Sequence, residues 1–345
     1  NVILDMNISC DGDALFADND GITIDLNGFT ISGNGSGIGI NVSSFDNVSI
    51  INGIVENFET AIFIDPAVGI NVSGITARWN VEGIYFEEIN ESYISDNNII
   101  SNSNYGIHLV ESINNTIKNN LIWNNSFDGV FTERSDLNLI TRNNISGNSQ
   151  KGLNLEDNSD SNLIYDNYFD NTLVDANSGW GNSWNTTQNC SIDGYTNIIG
   201  GPCQGGNSWS NYVGIDTTND GVGNINVPFN DGGQIGVGGD YLPIMEEGYV
   251  ACGGTGVVIE TNLTLTTNVS VEGDCLIINS SNLMIDCNGN SFIGNSSGFA
   301  FKIENNDNVT IQNCEIQNFT FGIMLGNSTG SIIRSNTLLD NTLHG

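Results

Sequence analysis

Four ionisable residues recur along the sequence at a constant step of 23 residues, namely Glu88, Glu111, Arg134 and Asp157. If the chain coils with this period, their side chains stack along one face. Paired carboxylates can carry out glycoside hydrolysis, and carboxylates with calcium and an arginine base can carry out uronate elimination. An arginine between two acids also neutralises an exposed charge ladder, and we favour this structural role. Three further acids neighbour the row: Glu87, Glu133 and Glu156.

A second group of oxygen-bearing residues lies in segment 216–224. The alternating positions are Asp216, Thr218, Asp220, the Val222 carbonyl and Asn224, and a glycine at 221 permits a sharp turn. Calcium requires hard oxygen ligands in such a pattern, and Asp240 or Asp231 could complete the shell. Two interpretations stay open, a calcium site and an Asx-turn loop that holds no metal.

Other groups that could do chemistry are sparse. His108 and His344 each lack a Cys or carboxylate at ligand spacing, so we interpret both as isolated. No Ser-His-Asp arrangement, phosphate loop or nucleotide fingerprint is apparent. Trp180, Trp184 and Trp209 could stack on sugars, but we favour a role in capping the open end of a hydrophobic stack.

The elements that position these residues follow a short period. A small residue followed by alternating apolar residues returns at Gly37, Ala61, Gly83, Gly106, Gly129 and Gly152, in steps of 24, 22, 23, 23 and 23. Seven positions earlier stands Ile99, Ile122 or Ile145, and nine earlier stands Asn97, Asn120 or Asn143. Short strands with Asn and Gly turns at this period predict a parallel β-helix, with coils about 4.8 Å apart. The isoleucines would form an interior stack and the asparagines a hydrogen-bonded ladder. A leucine-rich repeat is the rival, but its spacing and helical return are missing.

A longer repeat is superimposed on the short one. Residues 1–64 align without gaps on 262–325, with 23 identities in 64 positions. Cys287 and Cys314 correspond to Leu26 and Gly53, and this paired loss predicts a disulfide between the two cysteines. By the same logic we pair Cys252 with Cys275, and Cys190 with Cys203 in a Gly-rich loop, which leaves Cys10 over.

The two repeats together predict three regions. Residues 1–175 form a parallel β-helix and 251–345 begin a second, homologous one. Between them, residues 176–250 lack the 23-residue repeat and are rich in Gly, Trp and Asn, so we expect an irregular capping module. No signal peptide or transmembrane run is present, and we expect a mature segment or a fragment.

Composition limits the partners. The net charge of −33 arises from 40 acids against only 7 bases, which argues against nucleic acid as a partner. Divalent cations, or repulsion that keeps the surface soluble, fit better. Seven cysteines and 18 Asn-x-Ser/Thr sequons, roughly twice the chance number, indicate an oxidising extracellular location with N-linked glycans. The predicted glycosylation sites are Asn7, Asn34, Asn41, Asn47, Asn71, Asn90, Asn114, Asn124, Asn144, Asn185, Asn189, Asn262, Asn268, Asn279, Asn295, Asn308, Asn318 and Asn327.

These coils resemble the NosD-like repeats, also called the carbohydrate-binding and sugar-hydrolase class, of secreted archaeal surface proteins. The resemblance covers nearly the whole chain and implies a right-handed β-helix. The stretch NSWSNYVGIDTTNDGVGN and the later GGDYLPI look like the family's closing segment, in which Thr218 and Asn224 replace two usual acids. That replacement weakens an inherited calcium site. Copper handling gains no support from two histidines and four scattered methionines.

The leading hypothesis from the sequence is a secreted, glycosylated structural protein. It would form an extracellular filament, sheath or surface layer through head-to-tail contacts with copies of itself. The alternative is a polysaccharide-binding or polysaccharide-degrading β-helix, a lyase or glycoside hydrolase, that uses the face from Glu88 to Asp157. A deep groove with unpaired carboxylates there would favour the enzyme.

Overall fold

The computed structural model describes residues 1–216, 220–245, 256–265, 268–271 and 273–343. The chain folds into two compact units. Unit 1 comprises 1–187, 204–211 and 228–241, and unit 2 comprises 188–203, 212–227 and 242–345. Segment 176–250, predicted as a separate module, is therefore divided between the units, and the predicted three-region division stays a prediction. The all-β parallel β-helix is confirmed in both units.

Unit 1 contains 25 described strands, most of them two to five residues long, and one 3-10 helix at Asp231–Gly233. The strands are β1 (Val2–Ile3), β2 (Ile8–Ser9), β3 (Leu15–Phe16), β4 (Thr23–Asp25), β5 (Thr30–Ser32), β6 (Ile38–Val42), β7 (Ser49–Glu56), β8 (Thr60–Ile64), β9 (Ala67–Val68), β10 (Asn71–Arg78), β11 (Glu82–Glu87), β12 (Ile89–Asn90), β13 (Tyr93–Ser95), β14 (Asn98–Ile100), β15 (Ile107–Val110), β16 (Thr116–Lys118), β17 (Leu121–Trp123), β18 (Val130–Glu133), β19 (Leu139–Thr141), β20 (Asn144–Ser146), β21 (Lys151–Glu156), β22 (Leu163–Tyr165), β23 (Tyr168–Asp170), β24 (Val174–Ser178) and β25 (Ser208–Trp209).

Two large parallel sheets organise unit 1. One sheet has eight strands in the order β24-β21-β18-β15-β11-β8-β6-β3, so each coil adds one strand beside its predecessor. The other sheet has 15 strands, because most coils contribute two short strands to it. These short strands form two parallel rows, and the long strands β7 and β10 each span both rows. Strands β9 and β12 form a small third sheet at a turn.

The described residues of unit 2 form three four-stranded parallel sheets, with the orders β26-β29-β32-β35, β27-β30-β33-β36 and β28-β31-β34-β37. Its strands are β26 (Val257–Ile259), β27 (Leu263–Thr264), β28 (Val269–Ser270), β29 (Leu276–Ile278), β30 (Met284–Asp286), β31 (Ser291–Ile293), β32 (Phe299–Glu304), β33 (Thr310–Gln312), β34 (Glu315–Gln317), β35 (Phe321–Gly326), β36 (Ile332–Arg334) and β37 (Thr337–Leu339).

Inward-facing residues of successive coils lie over one another, as the period predicts. Ile99 pairs in register with Ile122, and Ile122 with Ile145, and all three are fully buried. Because side chains alternate across a strand, the residues between them face outward. The inward strand positions of each coil therefore supply the apolar core, and the alternate positions supply the surface.

Buried asparagines connect the coils at the turns. Asn120 donates its backbone N–H to Asn143 Oδ1 at 3.0 Å, and its side-chain amide donates to Asn143 Oδ1 at 2.9 Å and to the Ile94 carbonyl at 2.8 Å. Backbone N–H groups donate to the Oδ1 of the next asparagine along three ladders, whose rungs are Asn97, Asn120, Asn143, Asn167 and Asn207; Asn80, Asn102, Asn125, Asn148 and Asn171; and Asn115, Asn138, Asn162 and Asn182. The predicted amide ladder is confirmed, and each rung satisfies polar groups that would otherwise be buried without a partner.

Carboxylates end two of these ladders. Asp240 Oδ2 accepts the Asn207 N–H at 2.6 Å and the Trp209 indole N–H at 2.9 Å. Asp175 Oδ1 accepts the Asn171 N–H at 2.7 Å, and Asp231 Oδ2 in turn accepts the backbone N–H groups of Asp175 and Ala176. An ionised carboxylate accepts hydrogen bonds without donating one, so it can close a ladder that has no further rung.

Steric contacts with the next coil explain why a small residue recurs once in each coil. A Cβ built on Gly106 would lie 2.6 Å from the Gly129 carbonyl oxygen and 2.8 Å from Ile122 Cγ2. The register also corrects one assignment from the sequence, because Ile40 pairs with Ile62 and thereby places Gly39, not Gly37, beside Ala61. Counting from Gly39, the coils are more regular than the sequence pattern indicated.

Two predicted disulfides are present, Cys190–Cys203 and Cys287–Cys314. Cys275 is also disulfide-bonded, but its predicted partner Cys252 lies outside the described residues. Cys10 is free. In the first copy of the long repeat, a Cβ on Gly53 would lie 2.3 Å from the Leu26 Cβ, so leucine fills the space that the Cys287–Cys314 bond occupies in the second copy.

The predicted glycosylation asparagines are all half-buried or exposed, whereas none of the buried asparagines begins a sequon. Two of the ladders explain part of this separation. A rung such as Asn97 is followed two residues later by a core residue such as Ile99, which excludes Ser or Thr from the third sequon position. Glycosylation itself stays a prediction. Within the described part of the chain, no helix has the length and apolar character to span a membrane.

Replacing Gly106 by alanine should destabilise unit 1 by about 1–3 kcal/mol, because the new methyl group collides with backbone of the next coil. Thermal or denaturant unfolding measures the change. Gly179→Ala is the matched control, since a Cβ there meets no atom within 4 Å. Equal stability of the two variants would contradict the steric explanation of the small-residue row.

Replacing Asp175 by asparagine should stabilise unit 1 at neutral pH. Burial, and then the nearby charge of Asp231, raises the pKa of Asp175 from 3.8 to about 6. A raised pKa in the folded state favours the protonated form, so this contribution to stability is full below pH 3.8 and is lost as pH rises through 6. The asparagine amide keeps the acceptor without the charge, and the free energy of unfolding at pH 7 should rise by up to about 3 kcal/mol.

The measurement is the free energy of unfolding from pH 4 to 7 for the wild type, Asp175→Asn and the exposed control Asp18→Asn. The difference between Asp175→Asn and the wild type should grow with pH over this range. An unchanged pH slope would show that folding does not raise the pKa of Asp175, and a loss of stability at pH 7 would show that the ladder needs a charged last rung.

Candidate functional site

The outer surface of the eight-stranded sheet carries a continuous column of aromatic side chains. Phe63, Tyr85, His108 and Phe131 pair in register on the consecutive strands β8, β11, β15 and β18. Each stands between two buried residues of its strand and therefore faces outward. Asn154 and then Asn177 continue the column on β21 and β24. The column is parallel to the direction in which the coils stack.

The rings of this column pack on one another. Tyr85 stacks on His108 with centroids 4.5 Å apart, and Tyr105 stacks on Phe131 at 4.6 Å. Phe63 meets Tyr85, and Phe127 meets Tyr105, edge to face at 5.3 Å. Because ring faces cover each other, the groups available to a ligand are ring edges, the tyrosine hydroxyls and the polar residues on either side.

Carboxylates flank the rings on both sides. On one side, a column of paired strand positions runs beside the rings. It consists of Glu87, Val110, Glu133 and Glu156, which pair in register on successive strands. Glu82 and Asp128 lie on the other side, where Asp128 accepts the Lys151 backbone N–H at 2.9 Å and the Asn154 amide at 2.9 Å. We call these columns together the acid–aromatic face, defined by Phe63, Tyr85, Tyr105, His108, Phe127 and Phe131 with Glu82, Glu87, Asp128, Glu133 and Glu156.

The surrounding charge perturbs the two tyrosines. The Tyr85 hydroxyl donates to Glu87 Oε2 at 3.1 Å, and burial followed by the charge of Glu87 raises the pKa of Tyr85. Burial and then the charge of Asp128 raise the pKa of Tyr105 to about 12. Both phenols therefore stay protonated at neutral pH, and because the Tyr85 proton is donated to Glu87, the Tyr85 oxygen meets a ligand as an acceptor.

His108 is not isolated, and that interpretation of the sequence is wrong. Its Nδ1 lies 3.5 Å from Glu82 Oε2, and its ring lies among Tyr85, Tyr105 and Phe131. Its Nε2 is buried and makes no hydrogen bond within the described part of the chain. The carboxylate partner is 26 residues away, one coil plus three positions, so a search at local ligand spacing could not find it.

The recurring ionisable row lies at the turns that follow the same strands. Glu88, Glu111, Arg134 and Asp157 all have positive φ angles, between 47° and 56°, which place them in equivalent turns of successive coils. Arg134 is 46% exposed and contacts Glu111 at 2.9 Å, Glu133 at 3.7 Å and Asp157 at 3.9 Å. This is the exposed charge ladder that the sequence favoured, although the structure does not test whether the row also catalyses.

A groove of about 780 Å³ lies along this row, lined by Glu88, Glu111, Arg134, Asp46 and Asn90 with the short strands β9 and β12. Asp65, at the end of β8, neighbours it. Burial, and then the charges of Glu87 and Glu88, raises the pKa of Asp65 above its ordinary value. The raised pKa moves Asp65 in the direction that a general acid requires.

The proposed calcium ligands are distributed over both units. In unit 2, Asp216 Oδ2 accepts the Gly221 N–H at 2.7 Å and Asp220 Oδ1 accepts the Val222 N–H at 3.0 Å, while Thr218 lies outside the described residues. In unit 1, Asp240 ends the asparagine ladder and Asp231 binds backbone. Val222 and Asn224 belong to unit 2. The calcium site stays a prediction.

The three tryptophans separate into two roles. Trp184 is 1% exposed and Trp209 is 5% exposed, and Trp209 packs on Phe169 at 4.6 Å and on Phe229 at 5.0 Å. These two fill the core at the last coils of unit 1, as expected for capping side chains. Trp180 is instead 75% exposed.

The aromatic column was the part of the face that sequence reasoning missed. Its members are the third residues of the repeated motifs AIFI, GIYF, GIHL and GVFT, which were used only to establish the period. The signal was therefore available, since an outward position that repeats an aromatic ring over four coils differs from the mixed polar residues of a solvated surface.

Comparison with known proteins concerns the fold first. The family described as "Periplasmic copper-binding protein (NosD)" matches residues 5–214. The periplasmic alginate epimerase AlgG is 14% identical over 89% of this chain and 51% of its own, with a TM-score of 0.40. The chain thus spans about half the length of that protein. No curated protein sequence matches the chain.

Two other solved structures show similar levels of likeness. Alginate lyase from Paenibacillus sp. str. FPU-7 is 10% identical over 99% of both chains, with a TM-score of 0.32. The A-module of the mannuronan C-5 epimerase AlgE4 from Azotobacter vinelandii is 13% identical over 92% of this chain and 77% of its own, with a TM-score of 0.35. The site is therefore argued from its own residues.

The residues present do not fit copper, the metal that the family description names. Copper favours imidazole, thiolate and thioether donors. His108 has rings and one carboxylate around it, His344 lies outside the described residues, and the described residues contain no group of three His, Cys, Asp or Glu able to hold a metal. The match over residues 5–214, more than half of the chain, and the stacked coils nevertheless show that this protein belongs to the NosD family of parallel β-helix proteins.

Proposed function

We propose that unit 1 binds a linear polysaccharide along the acid–aromatic face, which is the alternative that the sequence left open. The observation that carries the proposal is the uninterrupted column of Phe63, Tyr85, His108 and Phe131 with carboxylates on both sides. Four consecutive coils about 4.8 Å apart form a strip that runs along the solenoid, and a linear polymer can follow it.

The charge of the face selects the kind of sugar. Glu82, Glu87, Glu133 and Glu156 repel a polyuronate, while their oxygens accept hydrogen bonds from neutral hydroxyl groups. The nearby cations are already occupied, since Lys151 pairs with Glu156 at 3.3 Å and Arg134 with Glu111 at 2.9 Å. The polysaccharide is therefore a neutral or amino-sugar polymer rather than a uronate.

The pairing of the cations with carboxylates also limits which reaction the protein could catalyse. Uronate elimination requires a cation to neutralise the substrate carboxylate, and Arg134 is committed to Glu111 and Asp157. Hydrolysis requires a general acid, and the pKa of Asp65 is raised by burial and by the charges of Glu87 and Glu88, which is the direction that this role needs. If the bound chain is cleaved, Asp65 is the proton donor and the reaction is glycoside hydrolysis.

We also propose that the protein works outside the cytoplasm. The disulfides Cys190–Cys203 and Cys287–Cys314 support an oxidising compartment, and the family description names a periplasmic protein. N-linked glycans at the accessible sequons and calcium at segment 216–224 remain hypotheses within this proposal.

A structural role in a filament, sheath or surface layer is the second candidate. The observation in its favour is the long tandem repeat, in which Gly33 and Gly294 approach Phe58 and Phe319 in the same way. Electron microscopy of the purified protein tests it, since an ordered polymer supports this role and a monodisperse particle at high concentration contradicts it.

Tyr85→Phe should weaken polysaccharide binding about tenfold, because it removes one hydroxyl group worth about 1.4 kcal/mol while it keeps the ring stack. Isothermal titration with a soluble neutral glucan, chitosan oligomers and alginate oligomers measures affinity. Tyr93→Phe, on the 15-stranded sheet, is the matched control and should bind like the wild type. Tight binding of alginate, or no binding of either other polymer, would contradict the proposal.

Asp65→Asn tests the hydrolytic step on the polymer that binds. The variant should keep its affinity and release no new reducing ends. Release of reducing ends at the wild-type rate would remove Asp65 as proton donor, and an absence of cleavage by the wild type would restrict the function to binding.

A further inference from the structure

Trp180 differs from the other tryptophans of its segment. It is 75% exposed, whereas Trp184, four residues later, is 1% exposed and packs inside the solenoid. Glycine stands on both sides of Trp180, and Gly181 has a φ angle of 86°. A large apolar side chain held in solvent costs hydration free energy, so its placement needs a reason other than core packing.

The loop that carries Trp180 is fixed at both ends. On one side, the Gly236 N–H donates to the Ser178 carbonyl at 2.9 Å, and Ser178 donates its N–H to the Gln234 carbonyl at 3.2 Å. On the other side, the Ser161 N–H donates to the Gly181 carbonyl at 3.1 Å, and Asn182 is the last rung of its ladder. The indole is therefore presented from a constrained loop.

A pocket of about 560 Å³ lies against this loop. It is lined by Trp180 with Glu156, Asp157, Asp160, Asn177 and Ser178. Ser178 is 4% exposed, and its Oγ makes no hydrogen bond within the described residues. Ser178 pairs in register with the buried Leu155 and lies next to the outward Asn177, so its side chain points into the solenoid and its Oγ is not accessible from the pocket.

The pocket adjoins the acid–aromatic face. Glu156 belongs to both, and Asn177 is the last member of the outward column that begins with the aromatic rings. Strand β24, which carries Asn177 and Ser178, is the terminal strand of the eight-stranded sheet. A polymer lying on the face would reach the pocket at this end of the sheet.

We propose that this pocket is a sugar-binding subsite in which Trp180 packs on the apolar face of one neutral or amino-sugar residue. The carboxylates of Glu156, Asp157 and Asp160 accept hydrogen bonds from that residue's hydroxyl or ammonium groups. An indole combines a broad apolar surface with low conformational entropy, and a few polar groups around it fix orientation. A uronate is excluded by the three carboxylates. The subsite rests on the proposed function and adds its sugar-stacking residue.

Tryptophan fluorescence and titration calorimetry of the full chain test the subsite, with cello-oligosaccharide, chitosan hexamer and oligogalacturonate as probes. Binding of the first or second probe should shift the wild-type emission, and Trp180→Ala should weaken binding at least tenfold and remove the shift. Trp180→Phe should recover part of the affinity. Trp123→Ala, which replaces an exposed tryptophan of the 15-stranded sheet, is the control and should change neither.

The outcomes separate this inference from the proposed function. Full affinity in Trp180→Ala with weakened binding in Tyr85→Phe overturns the subsite and leaves the proposed function standing. Weakened binding in both variants supports both. Tight binding of oligogalacturonate, or no binding of any probe by the wild type, overturns the subsite together with the face. Thermal melting that matches the wild type confirms that each variant is folded.

Discussion

The stacking of each coil directly over the next is the constraint on which the rest of unit 1 depends. Parallel strands, most of them 22 to 26 residues apart, hydrogen-bond along the solenoid, and every turn must bring the chain back into register. The asparagine ladders enforce this return, because each amide binds the next coil and a carbonyl of the previous one. A rung therefore cannot be moved along the sequence without leaving several buried polar groups without partners.

This constraint separates structural from functional positions. Inward residues and ladder residues are fixed by packing, whereas outward residues only need to tolerate their neighbours about 4.8 Å above and below. A property repeated at an outward position is thus amplified into a continuous strip. The aromatic column and the acid columns arise in this way, and so does the exposed ion-pair ladder around Arg134. The solenoid converts a local choice of residue into a linear surface that suits a linear ligand.

Charge then limits the ligands that this surface can accept. The face carries several carboxylates, and the cations near it, Lys151 and Arg134, are already paired. Burial and neighbouring acids raise the pKa values of Tyr85 and Tyr105, so the face combines protonated phenols with carboxylate acceptors. That combination suits hydroxyl-rich or ammonium-bearing sugars and opposes polyanions. Carboxylates also end two of the ladders. Asp175 and Asp240 accept the N–H of the last asparagine, where a further asparagine would have continued the ladder.

The sequence by itself determined the features that depend on periodicity. The β-helix, the Ile99–Ile122–Ile145 column, the amide ladder and the Cys287–Cys314 bond all follow from residues one coil apart, or one long repeat apart, having the same environment. The recurring row from Glu88 to Asp157 was found for the same reason.

Only the tertiary structure decided the contacts between residues whose separation differs from the length of one coil, or which lie on strands that do not pair. Three examples depend on side-chain direction and on irregular segments: the approach of Glu82 to His108, the burial of Trp184 beside the exposure of Trp180, and the closure of ladders by Asp175 and Asp240. These segments have no repeat, so no sequence periodicity predicts the contacts between their residues. The chain's periodicity specifies the solenoid, and the places where periodicity fails specify how it ends and what it can bind.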